Sequence, residues 1–339
     1  MSTKGNIASP TTTDVPYPRS VVIGAGAWGR NLIRNLNDLG ILAGIAESNP
    51  ENRRRAIEDH PDLPVTVDHR EWLDSDVPVC FVATPVATHF QVVRAFLEAG
   101  KHVFVEKPLT LDRDEARALA DLAEERGLIL MVGHLLLFQP AIEWLRNFLA
   151  EGGIGTVRSI HQERLGLGRV RDYENALWCL GSHDVAVQRF LVDREPVRIQ
   201  VEGQSVLQPG IEDDVYLHVE YDDGLQTHLH CSWLWPEKRR TLVVLGTEGM
   251  VEYDEIQQVV VLHRKGVNKQ LEVTDAGSET LYNGHGQPLR LEIEHFLNGV
   301  VNGGTVRSDG HFAAEVVRLL ATATDRLRGK KPHPAEGLP

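Results

Sequence analysis

The chain predicts two architectures in tandem: an α/β region with a parallel sheet, then an α+β region whose large open sheet is mostly antiparallel. Three observations predict this. At 339 residues the chain exceeds one ordinary core and suits two. From Arg19 to about Val132, short apolar runs alternate with amphipathic stretches, the pattern of a parallel sheet with helices on both faces. Beyond Pro140 the alternation of apolar and polar residues takes over, as in strands with one buried face.

Residues 1–18 carry three prolines and a threonine run and are expected to form a disordered tail. In the first region, strands are expected at 20–23, 42–47, 79–83, 102–106 and 129–132. Helical spacing falls on 28–39, 51–59, 88–98 and 113–125. Asp112 can accept the orphan N–H groups of the last of these helices, and Gly127 can stop it. In the second region a helix over 141–150 leads through Gly152-Gly153 to strands at 156–164, 197–206, 215–221, 229–233, 240–245 and 259–262. Turns are expected at Asp222-Asp223-Gly224 and Thr247-Glu248-Gly249. Helices over 289–301 and 311–328 close the fold. The expected division is therefore 19–134 for cofactor binding and 135–328 for substrate binding and oligomerisation, with 329–339 a loose tail. Few helices are available to cover the second sheet, so a second subunit covering it, and a homo-oligomer, is expected.

A net charge of −13 and a pI near 5.6 would repel nucleic acid and anionic membrane surfaces, so neither partner is expected. The acidity fits a cationic substrate such as an amino sugar, and equally a solvated surface. Cys80, Cys179 and Cys231 form no C-x-x-C pair, which points away from disulfides and zinc and toward a reducing cytoplasm. The N-terminus has no apolar stretch that reads as a secretion signal, and no apolar run is long enough to span a bilayer.

Chemistry concentrates at two strand ends. Ser20-Val21-Val22-Ile23 runs directly into Gly24-Ala25-Gly26-Ala27-Trp28-Gly29, a glycine pattern between strand and helix that binds dinucleotides. Gly24 permits the tight bend, Gly26 lets backbone approach a pyrophosphate, and Gly29 lets the helix pack on the strand. The helix starting near Trp28 offers unpaired N–H groups and a positive dipole end. Glu47, ending the next strand, would accept the ribose hydroxyls and repel a 2′-phosphate, favouring NAD over NADP. Arg53, Arg54 and Arg55 could offset that repulsion, but they fall inside an expected helix where most face water. The second strand end carries Glu106-Lys107-Pro108. It places an ammonium at the carboxyl end of a parallel strand, where open sheets bind ligands.

With the glycine turn, Ala83-Thr84-Pro85 reaching His89, Glu106-Lys107-Pro108 and Gly133-His134, the chain resembles the glucose-fructose oxidoreductase / inositol dehydrogenase / rhizopine catabolism (Gfo/Idh/MocA) family over 19–330. Within it, 166–184, particularly Asn175-Ala176-Leu177-Trp178 and Ser182-His183-Asp184, resembles the branch that includes UDP-N-acetylglucosamine 3-dehydrogenases. The resemblance implies a Rossmann domain followed by an open-sheet domain. It implies NAD(P) in the first, a catalytic Lys107, and a catalytic His183 on the helix opening the second. It also implies oxidation of a sugar hydroxyl, C3 in that branch, to a ketone. Many members carry aspartate four residues before the histidine. Cys179 stands there in this chain.

The candidate cofactor contacts are Gly24, Gly26, Ala27, Trp28, Gly29, Glu47 and Ser48, with Thr84, Pro85, His89, Glu106 and Lys107. The candidate sugar contacts are His134, Arg164, Arg169, Tyr173, Asn175 and Trp178. His134 can instead make a structural hydrogen bond, and Trp178 can belong to the core. His228 and His230 form an H-x-H pair without a third ligand near in sequence, so no metal is expected.

Loss of hydride from an alcohol requires loss of the hydroxyl proton, hence a base near the working pH. Imidazole starts near 6.5 and a lysine ammonium near 10.4, so His183 is assigned as base and Lys107 as the donor stabilising the oxyanion. The reverse assignment stays open. Two other functions fit: oxidation of an aminoglycoside or other glycosylated natural product before transamination, as in antibiotic biosynthesis, and a silent sugar- or NAD-binding regulator.

Overall fold

The computed structural model describes residues 17–168 and 170–329. The expected tails, 1–18 and 329–339, therefore lie almost wholly outside the described residues, as does Arg169.

Among the described residues, six strands form one parallel sheet: β1 Ser20–Ile23, β2 Leu42–Ala46, β3 Val65–Thr66, β4 Val79–Val82, β5 His102–Glu106 and β6 Leu130–Gly133. Their order is β3-β2-β1-β4-β5-β6. β1, β2, β4 and β6 are buried at every position, which is why they read as continuous apolar runs. The helices between them are α1 Gly29–Asp38, α2 Pro50–Asp59, α3 His89–Glu98 and α4 Arg113–Glu125. Asp112 caps α4 by accepting from the Asp114 and Glu115 N–H groups at 2.8 and 3.0 Å. Because β1 has β2 on one side and β4 on the other, the strand order reverses there and a crevice opens at the carboxyl ends.

The second sheet has β7 Val157–Leu165, β8 Pro196–Gln204, β9 Asp214–Tyr221, β10 Gln226–Ser232, β11 Arg239–Gly246, β12 Met250–Asp254, β13 Val259–Val267 and β14 Val273–Asn283. The order is β14-β13-β12-β11-β7-β10-β9-β8, antiparallel except between β7 and β10. The two expected turns join β9 to β10 and β11 to β12. Val215, Leu217, Val219 and Tyr221 turn to one buried face, packed under α6 Ser182–Leu191 and α8 Gly310–Leu327. α5 Pro140–Ala150 packs against β13 and β14. On the opposite face His161 and Tyr216 are exposed, with His218 and His228 half-buried.

The chain's end returns to the first sheet. Phe296 of α7, Pro288–Asn302, meets Phe81 and Phe104 edge-on at 5.4 and 5.8 Å, contacts worth about 0.5–1.5 kcal/mol each beyond area burial. α8 packs on α4, and Ser308 accepts from the Val132 N–H at 2.9 Å. The last two helices thus brace both sheets and hold the crevice between them.

Candidate active site

The glycine turn meets the needs of a dinucleotide through backbone geometry. Gly24 has φ +96°, and a Cβ there would lie 2.6 Å from the Ala83 carbonyl oxygen. A Cβ on Gly29 would lie 2.0 Å from the Gly24 oxygen, so only glycine lets α1 approach the turn. A Cβ on Gly26 meets nothing within 4 Å, and Gly26 lines a cavity of about 860 Å³. That open space is the room a pyrophosphate needs, beside the N-terminus of α1. Glu47, Ser48, Thr84 and Pro85 line the same cavity. Glu47 accepts from the Ala25 N–H at 2.6 Å and the Asn49 N–H at 2.7 Å, so its carboxylate is pinned at the end of β2. Arg53 spends its guanidinium on the Glu47 and Ser48 carbonyls, both at 3.1 Å, and Arg54 and Arg55 face water.

A second cavity of about 500 Å³ adjoins the first at Ala83, Thr84 and Pro85, which line both. Lys107 and His183 line it together. Lys107 follows β5, and its Nζ donates to the Cys179 carbonyl at 3.2 Å and to Ser182 Oγ at 3.5 Å. An ammonium has three donors, so one remains for the cavity. Burial lowers the Lys107 pKa, while Cys179, Glu174 and Glu106 work to raise it. His183 sits in the first turn of α6, after a π-helical turn over Leu177–Gly181. Burial, then the cation at Lys107, holds its pKa well below the ordinary imidazole value, so the ring is neutral but a weaker base than the free imidazole on which the sequence assignment rested. Its Nδ1 has no hydrogen-bond partner among the described residues. The Trp28 indole donates to Glu106, linking the glycine turn to the lysine strand. Burial pushes Glu106 up to about 7 against the pull of that indole and of Lys107.

The profile "Oxidoreductase family, NAD-binding Rossmann fold" matches residues 19–134, and "GFO/IDH/MocA C-terminal domain" matches 142–252. The chain belongs to the Gfo/Idh/MocA oxidoreductase family. It is 28% identical over 296 residues to the UDP-N-acetylglucosamine 3-dehydrogenase of Acidithiobacillus ferrooxidans, covering 87% of this chain and 92% of that protein. A solved structure of that dehydrogenase superposes with TM-score 0.81 at 26% identity, covering 92% of this chain and 98% of that one. The scyllo-inositol 2-dehydrogenase (NAD(+)) of Bacillus subtilis is 27% identical over 249 residues, 68% of this chain and 70% of its own. The protein is an NAD-dependent oxidoreductase of this family.

Not every expected contact of the oxidoreductase reaches the cavity. His183 does, but from α6 behind β7; the helix that opens the second region is α5. Arg164 lines the cavity with its charge already committed: Nε donates to Asp184 at 2.5 Å and Nη2 to Glu255 at 2.5 Å. Burial alone would lower its pKa, but these carboxylates outweigh that and raise it. Tyr173 lies exposed at the rim. Asn175 is buried behind the wall, donating to Glu212 at 2.7 Å and accepting from the Trp178 N–H at 3.1 Å. Trp178 donates to Thr324 Oγ1 of α8 at 2.8 Å and belongs to the core. Neither is among the residues lining the cavity. His134 is buried beside Lys107, its pKa pushed down to about 3 by burial and that cation, and its ring meets Phe312 edge-on.

His89 lines the cavity, yet both its ring nitrogens face carbonyl oxygens, of Pro108 and Thr84, each at 2.9 Å. It ties the cofactor loop to the lysine loop. His228 and His230 diverge, one pairing with His218 at 2.7 Å and the other with Asp214 at 2.9 Å. Sequence reasoning missed Arg171, Glu174 and Glu255, all lining the cavity. Arg171 and Glu174 flank Tyr173 in the singled-out segment 166–184, which was the available signal; Glu255 follows β12 and had none.

Proposed function

We propose that this oxidoreductase oxidises a secondary hydroxyl, the C3 hydroxyl, of a pyranose carried as a nucleotide sugar, giving a ketone. The observation that carries this is Lys107 and His183 lining one cavity that adjoins the glycine-turn cavity at Ala83, Thr84 and Pro85. The A. ferrooxidans relative, named for the 3-position of UDP-N-acetylglucosamine, supports the choice of carbon and of substrate class.

Bound NAD supplies the hydride acceptor. Gly24, Gly26 and Gly29 shape its cradle, and Glu47, Ser48, Thr84 and Pro85 line it. The remaining N–H of Lys107 donates to the carbinol oxygen and stabilises the negative charge that develops there. The neutral His183 ring takes the hydroxyl proton as the C–H bond breaks. Its depressed pKa keeps it in the accepting form throughout the neutral range. Glu106, beside Lys107 in the chain, bonds the Trp28 indole and so fixes the lysine strand against the cofactor turn.

A second copy covering the open face around His161, Tyr216 and His218 completes the proposal, with the cytoplasm, where its free thiols stay reduced, as its setting. No helix of the described residues is long and apolar enough to cross a membrane. Mass photometry of the protein and of Tyr216→Asp tests the assembly, which fails if the unmodified chain is monomeric.

Turnover is tested by NADH formation with UDP-N-acetylglucosamine, followed by borodeuteride reduction and NMR of the sugar. Deuterium at C3 is expected. Deuterium at another carbon would move the reaction, and no NADH with any pyranose would refute the function.

A further inference from the structure

The cavity holding Lys107 and His183 is lined by three side chains that carry permanent or near-permanent positive charge, Lys107, Arg164 and Arg171. Their commitments differ. Arg164 is held between Asp184 and Glu255, with Nε, Nη1 and Nη2 all donating to carboxylates at 2.5 to 3.2 Å. Nothing of it is left to compensate a charge on a ligand. Lys107 is held by the Cys179 carbonyl and Ser182 Oγ and serves the reacting oxygen.

Arg171 is different. Its Nη1 donates to the neutral Tyr173 hydroxyl at 3.1 Å, and the Cys179 thiol lies beside the guanidinium. Its Nε is buried with no hydrogen-bond partner among the described residues; the Glu174 carboxylate is 3.7 Å away, within ion-pair reach but not hydrogen-bonded. A buried guanidinium N–H left unmade is costly, and a planar fork of donors matches phosphate oxygens. Burial raises the pKa of Glu174, the nearest carboxylate, while Lys107 and Arg171 work to lower it.

The surroundings extend the argument outward. The Arg171 guanidinium sits 5.8 Å from the Tyr173 ring, and that ring is 61% exposed. Leu167 and Val170, near it in the chain, are also exposed. Lys107 and His183 are enclosed, the Arg171 guanidinium is partly exposed and the Tyr173 ring is open to solvent. A nucleoside diphosphate sugar has that order of chemistry: carbinol, diphosphate, base.

We propose that Arg171 binds the diphosphate of a nucleoside diphosphate sugar, with the base resting on the Tyr173 rim, and that this contact selects the activated sugar over the free one. This rests on the sugar-oxidising function argued above. Hydrogen bonds from a cation to an anion are the strong kind, so Arg171→Gln should weaken the contact about 10- to 100-fold.

The test uses the NAD-loaded full chain with two readouts. In the first, uridine diphosphate alone is titrated calorimetrically into the unmodified protein, Arg171→Gln and Arg171→Lys, with NAD affinity measured on each as a check of folding. Binding to the unmodified protein, loss in Arg171→Gln and partial recovery in Arg171→Lys are expected. In the second, kcat/KM is measured for UDP-N-acetylglucosamine and for N-acetylglucosamine, and their ratio should fall about 10- to 100-fold in Arg171→Gln. No binding of uridine diphosphate to the unmodified protein, or an unchanged ratio, would overturn the proposal. If the unmodified enzyme oxidises both sugars equally, the sugar dehydrogenase stands and the diphosphate contact falls. If neither sugar is oxidised while uridine diphosphate binding still depends on Arg171, the contact stands and the reaction falls.

Discussion

Lys107 is where burial becomes chemistry. Taking an ammonium out of water favours losing its proton, and the oxygens around it, the Cys179 carbonyl and Ser182 hydroxyl, resist that by accepting its hydrogen bonds. The result is a donor held by two oxygens, with a third N–H left for the alcohol in the proposed reaction. Lys107→Met keeps the volume and removes the donor. Turnover should drop about 100- to 1,000-fold, the loss typical of one oxyanion donor, while NAD affinity stays nearly intact. Stopped-flow absorbance and equilibrium NAD titration read the two quantities, and equal losses in both would assign the side chain to cofactor binding. Glu47 works by charge instead. Glu47→Gln keeps an acceptor for the Ala25 N–H but removes the charge facing a 2′-phosphate. Two like charges about 4 Å apart repel by about 1 kcal/mol in water and more at lower dielectric, so the NADP to NAD ratio of kcat/KM should rise about tenfold. An unchanged ratio would mean that steric fit, not charge, sets the preference.

At the scale of elements, the glycine turn separates folding from binding within six residues. A Cβ on Gly29 strikes the Gly24 carbonyl oxygen, so Gly29→Ala must push α1 off β1, at a cost of about 1–3 kcal/mol in stability. A Cβ on Gly26 strikes nothing in the protein and projects into the cofactor's room. Gly26→Ala should therefore melt like the unmodified chain yet bind NAD more weakly. Calorimetric melting and NAD titration of both variants check this; a Gly26→Ala that unfolds early would show that the turn needs glycine for its own conformation. The same local logic explains what was legible. β5 and α4 lie at their expected bounds because the strand is a short apolar run, Val103-Phe104-Val105, between polar residues, and the helix has a capping aspartate and a stopping Gly127. β3 is two residues long and leaves no period, and β14 is exposed along most of its length, so no apolar alternation marks it. α6 is buried on nearly every side, so Val185, Ala186, Val187 and Phe190 show no single face. Lys107 was legible from its strand end. The Arg164–Glu255 pair was not, because it arises from β7, β11 and β12 lying side by side, which no local spacing encodes.

The molecule as a whole makes its candidate active site by closing two sheets over groups that prefer water. Lys107 comes from the first sheet and His183 from a helix packed on the second, with α7 and α8 bracing the two, so the pair exists only in the complete fold. His134 is caught between them. Burial and the Lys107 charge hold its folded pKa at about 3, against an unfolded value near 6.5. Between those two pH values the unfolded chain binds a proton that the native protein refuses. The stability His134 allows is thus whole above about pH 6.5 and is lost as pH falls toward 3, at about 1.4 kcal/mol per pH unit. Glu106 pulls the other way. Its folded pKa of about 7 lies above the ordinary 4.5, so in that window the native protein binds the extra proton and gains stability as pH falls. A bare stability profile sums both, and the difference between two proteins isolates one. In His134→Gln the Glu106 contribution remains and the imidazole's is gone. Denaturant unfolding of both proteins between about pH 6.5 and pH 4.5 should show the unmodified chain losing stability more steeply, by about 1.4 kcal/mol per pH unit. Parallel profiles would mean that His134 titrates alike folded and unfolded. The closure of the two sheets would then not be what keeps that imidazole neutral beside Lys107.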